Sequence, residues 1–264
     1  MGDVPYRLPV LAESEGWIAL DKPAGIAVRE FPWDGKRPNL DSALNLQLQG
    51  GKPELVRRGA SIFGSVYYLD PDISGVVLFC KHRSSLADLR NRFGSGEGYF
   101  RFVFVAGPKT EDMEHAFTAD APLLPHNVKP KMIPSSAKGK KSFTEFRLLA
   151  ETEHNLTIWE ARARFFRPHQ IRAHAAVHGI PVLGDSVYEG PVSPSQGSLL
   201  PRRKGGALNA PAFEGLALHL VDCHIGDALQ VSAKVPRAMC LLFKRLGLDV
   251  AALARKIEEN TLQP

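Results

Sequence analysis

YYLDPDISGVVLFCK (Tyr67 to Lys81) sets two carboxylates, Asp70 and Asp72, just ahead of an apolar run. Val76 to Phe79 is rich in β-formers and reads as a buried strand. The two acids allow two readings. In an extended chain, positions two apart face the same side, so both carboxylates would look into one cleft. Carboxylates held together split their pKa values, which suits acid and base roles. In a turn, Asp-Pro-Asp bonds its own backbone through its side chains. On these residues alone the turn is favoured.

Outward from this stretch, strands and helices alternate. Trp17 to Leu20 forms a short apolar run that stops at Asp21-Lys22-Pro23-Ala24-Gly25, and Ile26 to Val28 resumes a strand. Asn39 to Leu48 has helical spacing with a cap. Ser84 to Phe93 is an amphipathic helix, and Phe100 to Val105 an aromatic strand. Between Lys109 and Lys141, prolines and lysines predict loops and short edge strands. Ser142 to Leu149 and Leu156 to Phe166 alternate as paired strands. Pro168 to His178 is helical, with proline near its first turn. Residues 189–211 form a long loop. Leu216 to Leu220 and Ala228 to Ala233 are strands, and Arg237 to Leu246 and Val250 to Glu259 are helices. The class is α+β with a mostly antiparallel sheet.

The chain has 264 residues, 44% hydrophobic and 23% charged, ordinary for a globular protein. A net charge of +5 permits a polyanionic partner without requiring one. Three scattered cysteines argue against a disulfide framework and for a reducing compartment. No secretory signal or membrane-length apolar run is read, so a cytoplasmic location is expected. GxGxxG, P-loop and GxSxG motifs are missing.

A second constellation, Arg167-Pro-His-Gln-Ile-Arg-Ala-His174, concentrates arginine and histidine within two helical turns. Buried charge needs partners. Arg167 and Arg172 therefore suit phosphate or a buried acid. His174 and His178 have a metal-ligand spacing, but the HExxH signature is absent and no metal is expected. Taken alone, the segment reads as a solvated basic face. Gly179-Ile-Pro-Val-Leu-Gly-Asp-Ser-Val-Tyr188 reads as structure only.

Together and in order, these segments resemble the RluA-type pseudouridine synthase family. The match runs from Ile18-Ala-Leu-Asp-Lys-Pro-Ala-Gly-Ile26 through Leu69 to Gly75, Leu78 to Lys81, Arg167 to His174 and Gly179 to Asp185, ending with Leu216-Ala-Leu-His219. It covers roughly residues 15–245. The family's His-Arg-Leu-Asp reads Tyr67-Tyr68-Leu69-Asp70, and its Thr reads Ile73. Counted back from Gly107, the family's strand tyrosine falls on Arg101, with Tyr99 two residues earlier.

The resemblance implies an isomerase that converts uridine in transfer or ribosomal RNA to pseudouridine without a cofactor. It implies catalytic roles for Asp70 and Arg172, the arginine holding the acid ionised. Substrate contacts are implied for Tyr68, Tyr99, Arg101, Arg167, His169, Gln170 and Leu218. Arg101 would stack on the base by its guanidinium plane, and Tyr68 would fill the space left by a flipped nucleotide. Asp72 becomes a structural loop acid. Lys129 to Lys141 and Arg202-Arg203-Lys204 would track phosphates. The implied fold is a long, bent, mostly antiparallel mixed sheet with a central cleft and flanking helices. Residues 1–14 are expected to be an extension and 15–264 a single catalytic domain, acting as a monomer, without the small N-terminal RNA-binding domain of many relatives. Two other readings stay open: an RNA-binding homologue on the same fold with weakened or lost catalysis, and a hydrolase using Asp70 with Asp72.

Overall fold

In the computed structural model, the described residues are 7–30, 37–199, 208–227 and 229–259. The Arg202-Arg203-Lys204 cluster lies outside them. The chain runs β1 (Val10–Glu13), β2 (Trp17–Lys22), α1 (Leu40–Gln49), α2 (Pro53–Val56), β3 (Gly64–Ser65), β4 (Ser74–Cys80), α3 (Arg83–Ser95) and β5 (Gly98–Ala106). There follow β6 (Ala116–Ala119), β7 (Leu123–Pro125), β8 (Met132–Pro134), β9 (Thr144–Glu151), β10 (Thr157–Ala163) and α4 (Gln170–Val177). The last elements are α5 (Gln196–Leu199), β11 (Leu218–Ile225), β12 (Leu229–Ser232), α6 (Arg237–Arg245) and α7 (Val250–Glu259).

Among the described residues a 10-stranded sheet carries the fold, in the order β1-β2-β4-β11-β5-β10-β9-β6, with β3 on β4 and β12 on β11. Its pairs are antiparallel except β4 with β11. That parallel contact explains the Ser-Gly pair after the acids. Leu220 of β11 lies opposite Gly75, and a Cβ on Gly75 would come 2.1 Å from the Leu220 carbonyl oxygen. Gly75 also has φ of 121°, where side chains are strained.

The central strand β5 sorts the core. Phe100, Phe102 and Phe104 pack on one face with Tyr67, Leu69, Phe166 and Ile171. Val103 and Val105 pack on the other with Met239, Leu242 and Phe243 of α6 and Leu253 and Ile257 of α7. A strand buried on both faces needs no polar alternation, which accounts for the continuous apolar reading of FRFVFV. The exception, Arg101, is 1% exposed and sits on the α6–α7 side.

The expected strand at Ile26 to Val28 is not formed. Only Ala27 makes a bridge, to Asn39, and the backbone turns away there. Helix α4 begins at Gln170, after Pro168, because His169 takes a left-handed conformation with φ of 55°. The predicted loop at 189–211 contains the short α5.

Candidate active site

Asp70 heads a turn: the Ile73 amide donates to the Asp70 carbonyl at 3.1 Å. The bend carries the two acids apart. Asp70 is 3% exposed while Asp72 lies on the surface. The extended reading, with both carboxylates in one cleft, is thereby overturned. The turn is held from below by Lys22, which is fully buried. Its ammonium donates to the carbonyls of Pro23, Ile26 and Pro71 at 3.1, 2.9 and 2.8 Å. Burial pulls the Lys22 pKa down to about 7, against the opposing pull of Asp70 and Asp72.

The left-handed residue at the head of α4 faces this turn. His169 donates its backbone N–H to Asp70 Oδ1 at 3.2 Å. Non-glycine residues rarely adopt that conformation, and they do so where surrounding structure imposes it. One turn on, Arg172 Nη1 donates to Asp70 Oδ2 at 3.1 Å. The rest of the guanidinium grips Asp185, with Nε to Oδ2 at 2.6 Å and Nη2 to Oδ1 at 2.8 Å. Burial alone would lower the Arg172 pKa, but Asp185 and Asp70 outweigh it and hold the group above its ordinary value. Asp185 is itself fixed by the amides of Val187 and Tyr188. The Tyr188 ring lies 5.4 Å from the Arg172 guanidinium carbon.

A narrow pocket opens beside Asp70, lined by Leu69, Ile73, Phe102, Phe166, Arg167, His169, Gln170 and Ile171. Arg167 is half-buried at its edge and donates to the Lys141 carbonyl at 3.1 Å. Gln170 is a staple. Its Oε1 accepts from the Arg167 amide at 3.1 Å, and its Nε2 donates to the Phe143 carbonyl and Thr144 Oγ1 at 3.0 and 3.2 Å. Tyr68 is 6% exposed, near Arg29 and Asp70, and burial pushes its phenol above the usual range.

Three expected site residues are placed elsewhere. Arg101 points away from Asp70 into an ionic cluster: its Nε donates to Asp222 at 2.5 Å and its Nη1 to Glu160 at 3.2 Å and to the Ile257 carbonyl. It cannot stack on a base bound at Asp70. Tyr99, two residues away on the same face of β5, packs on His224 and Arg162. Leu218 is buried opposite Phe104 and does not line the pocket. The ring that β5 does present beside Asp70 is Phe102. Tyr67, in the family's histidine position, is a core residue that donates to the Val76 carbonyl at 2.9 Å.

The His174–His178 metal spacing is not realised. His174 uses Nδ1 on Thr144 Oγ1 and Nε2 on the Ala121 carbonyl, both at 2.9 Å. His178 packs on Phe117. Among the described residues no cluster of three or more His, Cys, Asp or Glu side chains could hold a metal, and no helix is long and apolar enough to cross a membrane. Sequence reasoning missed Asp185, Tyr188 and Phe102. The signal for Asp185 was available: a buried arginine with five donors needs more than one carboxylate.

One acid, oriented by a guanidinium and an amide beside an aromatic slot, defines a site for general acid–base or nucleophilic work on a planar ring. A family model described as RNA pseudouridylate synthase matches residues 16–177. Ribosomal large subunit pseudouridine synthase D of Zymomonas mobilis is 30% identical over 255 residues, covering 94% of this chain and 74% of that protein. Ribosomal large subunit pseudouridine synthase C of Rickettsia prowazekii is 27% identical over 235 residues, covering 86% and 68%. The structure of human RNA pseudouridylate synthase domain containing 4 aligns with TM-score 0.67 at 18% identity, covering 91% of this chain and 93% of the other, a likeness of fold. The chain belongs to the RNA pseudouridine synthase family, in its RluA-type branch. It is an isomerase of uridine in RNA.

Proposed function

We propose that the substrate is large-subunit ribosomal RNA and that Asp70 is the catalytic carboxylate. The observation that carries this is the Asp70–Arg172 contact at 3.1 Å beside a slot walled by Phe102 and Phe166. The target uridine, flipped from its stack, enters the slot and lies against the Phe102 ring. Asp70, oriented by Arg172, acts on the ribose of that nucleotide, adding to C1′ or removing a sugar proton. The detached uracil turns and rejoins through C5. Arg167 at the rim and Lys129, Lys138, Lys140 and Lys141 beyond it take the flanking phosphates. The relatives with ribosomal names support the choice of RNA. One chain supplies every group named, which supports action as a monomer. The free thiols of Cys80, Cys223 and Cys240 suit the cytoplasm.

The test uses unmodified large-subunit ribosomal RNA and transfer RNA transcripts, incubated with the protein or its Asp70→Asn variant and digested to nucleosides. Pseudouridine in the ribosomal transcript from wild type alone is expected. Product only in transfer RNA would overturn the substrate assignment, and equal product from Asp70→Asn would overturn the role of Asp70.

A further inference from the structure

We propose that Arg29 and Arg90 form a phosphate site on the Tyr68 side of Asp70, and that it takes a backbone phosphate of the substrate RNA beside the target uridine. The inference rests on the pseudouridine synthase reading of this protein and names a contact separate from Arg167 and the Lys129 to Lys141 segment.

Arg29 leaves the loop that braces the catalytic turn. Lys22 donates to the Ile26 and Pro71 carbonyls, and the Gly25 amide donates to the Pro71 carbonyl at 2.8 Å. Val28 is fully buried, and its carbonyl accepts from the Asp41 amide at 2.9 Å. Arg29 therefore starts from a fixed backbone. Its guanidinium carbon lies 6.0 Å from the centre of the Tyr68 ring, two residues before Asp70. Tyr68 is buried, so the group that this side offers to a ligand is the half-buried Arg29 and not the phenol.

Arg90 comes from α3. Its Nε and Nη2 donate to the Ser65 carbonyl at 3.1 and 2.7 Å, which leaves Nη1 uncommitted among the described residues. Ser65 is held from its other side by Asp41, which accepts from the Ser65 amide at 3.0 Å and from its hydroxyl at 3.1 Å.

The charges around this frame do not balance. Asp41 acts on both arginines, but it is one acid and is already engaged with Ser65. Among the described residues Arg29 meets the Tyr68 ring and makes no hydrogen bond or ion pair. A guanidinium carries five donors, and a half-buried one without an acceptor is costly. Burial, and then Arg90, lower the Arg29 pKa against the pull of Asp41. Arg37, whose Nη2 donates to the Gly25 carbonyl at 3.3 Å, adds to the positive field around Tyr68. An anion between Arg29 and Arg90 relieves these costs, and a phosphate matches the planar fork of Arg29. In RNA that anion is a backbone phosphate. Held here, it fixes the register of the strand whose uridine reaches Asp70.

The experiment uses the RNA in which wild type makes pseudouridine. Arg29→Met keeps an unbranched side chain and removes the charge. It is expected to weaken RNA binding about 10-fold or more and to flatten the slope of log affinity against log salt by about 0.7–0.9. Arg29→Lys should keep the slope and lose part of the affinity, because a point charge replaces the fork. The unfolding midpoint of Arg29→Met should equal or exceed that of wild type, since a charge without a partner is removed. A neutral methylphosphonate, placed in turn at each linkage within about two nucleotides of the target, locates the contact. One linkage should cost wild type affinity and cost Arg29→Met nothing further. Wild-type affinity and slope in Arg29→Met, or equal losses at every linkage in both proteins, overturn the site. A lower unfolding midpoint in Arg29→Met also overturns it and assigns Arg29 to the fold. No pseudouridine from wild type on any RNA overturns the functional reading, and the phosphate site with it.

Discussion

Arg172 joins two carboxylates from separate segments, Asp70 after Tyr68-Leu69 and Asp185 after Gly184, at 3.1 and 2.6 Å. The Asp185 grip uses two donors and the Asp70 contact one. Asp185 thus sets where the guanidinium points, and Asp70 meets a preset charge. Asp185→Asn keeps the shape but removes the charge. It is expected to lower kcat about 10²-fold through misplacement of the acid, with KM for RNA nearly unchanged, and to cost about 1.5–3 kcal/mol of stability. Steady-state kinetics and urea unfolding check both.

Asp70 and Asp72 have opposite fates in one turn, and this separates isomerase from two-carboxylate hydrolase chemistry. Asp72→Asn alters an exposed side chain and is expected to leave the rate within about twofold, as surface changes commonly do. Asp70→Asn is expected to abolish product. Equal loss in both variants would restore the hydrolase reading.

Arg101 gives a different prediction, of stability without catalysis. Glu160 meets Arg101, Arg147 and Arg162 at 3.2, 3.1 and 2.6 Å, and Asp222 lies against Arg101 as well. Arg101→Met leaves two buried acids short of a partner. The expected cost is about 3–5 kcal/mol, with kcat of the remaining folded enzyme close to wild type. A selective loss of kcat with normal unfolding would return Arg101 to the active site.

The Arg101 error shows where legibility ended. Order of motifs picked out Asp70, Arg172, Arg167, His169 and Gln170, which the fold brings together, because local patterns fix each on its turn or helix. The β5 strand has no such local mark. Its side chains alternate, so a count from Gly107 that slips by one residue exchanges the two faces. FRFVFV is apolar on both sides and offers no alternation to correct the count. Asp185 is a different case: a buried Arg172 calls for a second acid, but its partner lies on α4 and only tertiary packing singles out this one.

Lys22 links pH to stability. Its pKa falls from 10.5 to about 7 on folding, so the unfolded chain binds more protons between those values. Stability therefore rises with pH across that window, and the full penalty of the buried charge is felt below pH 7. Denaturant midpoints between pH 6 and 10 should climb for wild type, and Lys22→Met should remove this part of the slope. A wild-type midpoint flat over that range would show that the three carbonyls hold Lys22 charged at no cost.

The β7–β8 hairpin and the segment after it carry Lys129, Lys138, Lys140 and Lys141 on exposed positions. This basic arm is tied to the pocket at two points, Lys141 carbonyl to Arg167 and Met132 to Tyr188. Phosphates bound along it would lie next to the flipped nucleotide. Each neutralised phosphate contributes roughly 0.7–0.9 to the slope of log affinity against log salt. The double change Lys140→Gln, Lys141→Gln is expected to weaken RNA binding and to flatten that slope by about 1.4–1.8 if both lysines meet phosphate. Neither side chain reaches Asp70, so the single-turnover rate at saturating RNA should hold. Filter binding between 50 and 200 mM salt reads the slope, and a slope equal to wild type would show that the RNA takes another path to Asp70.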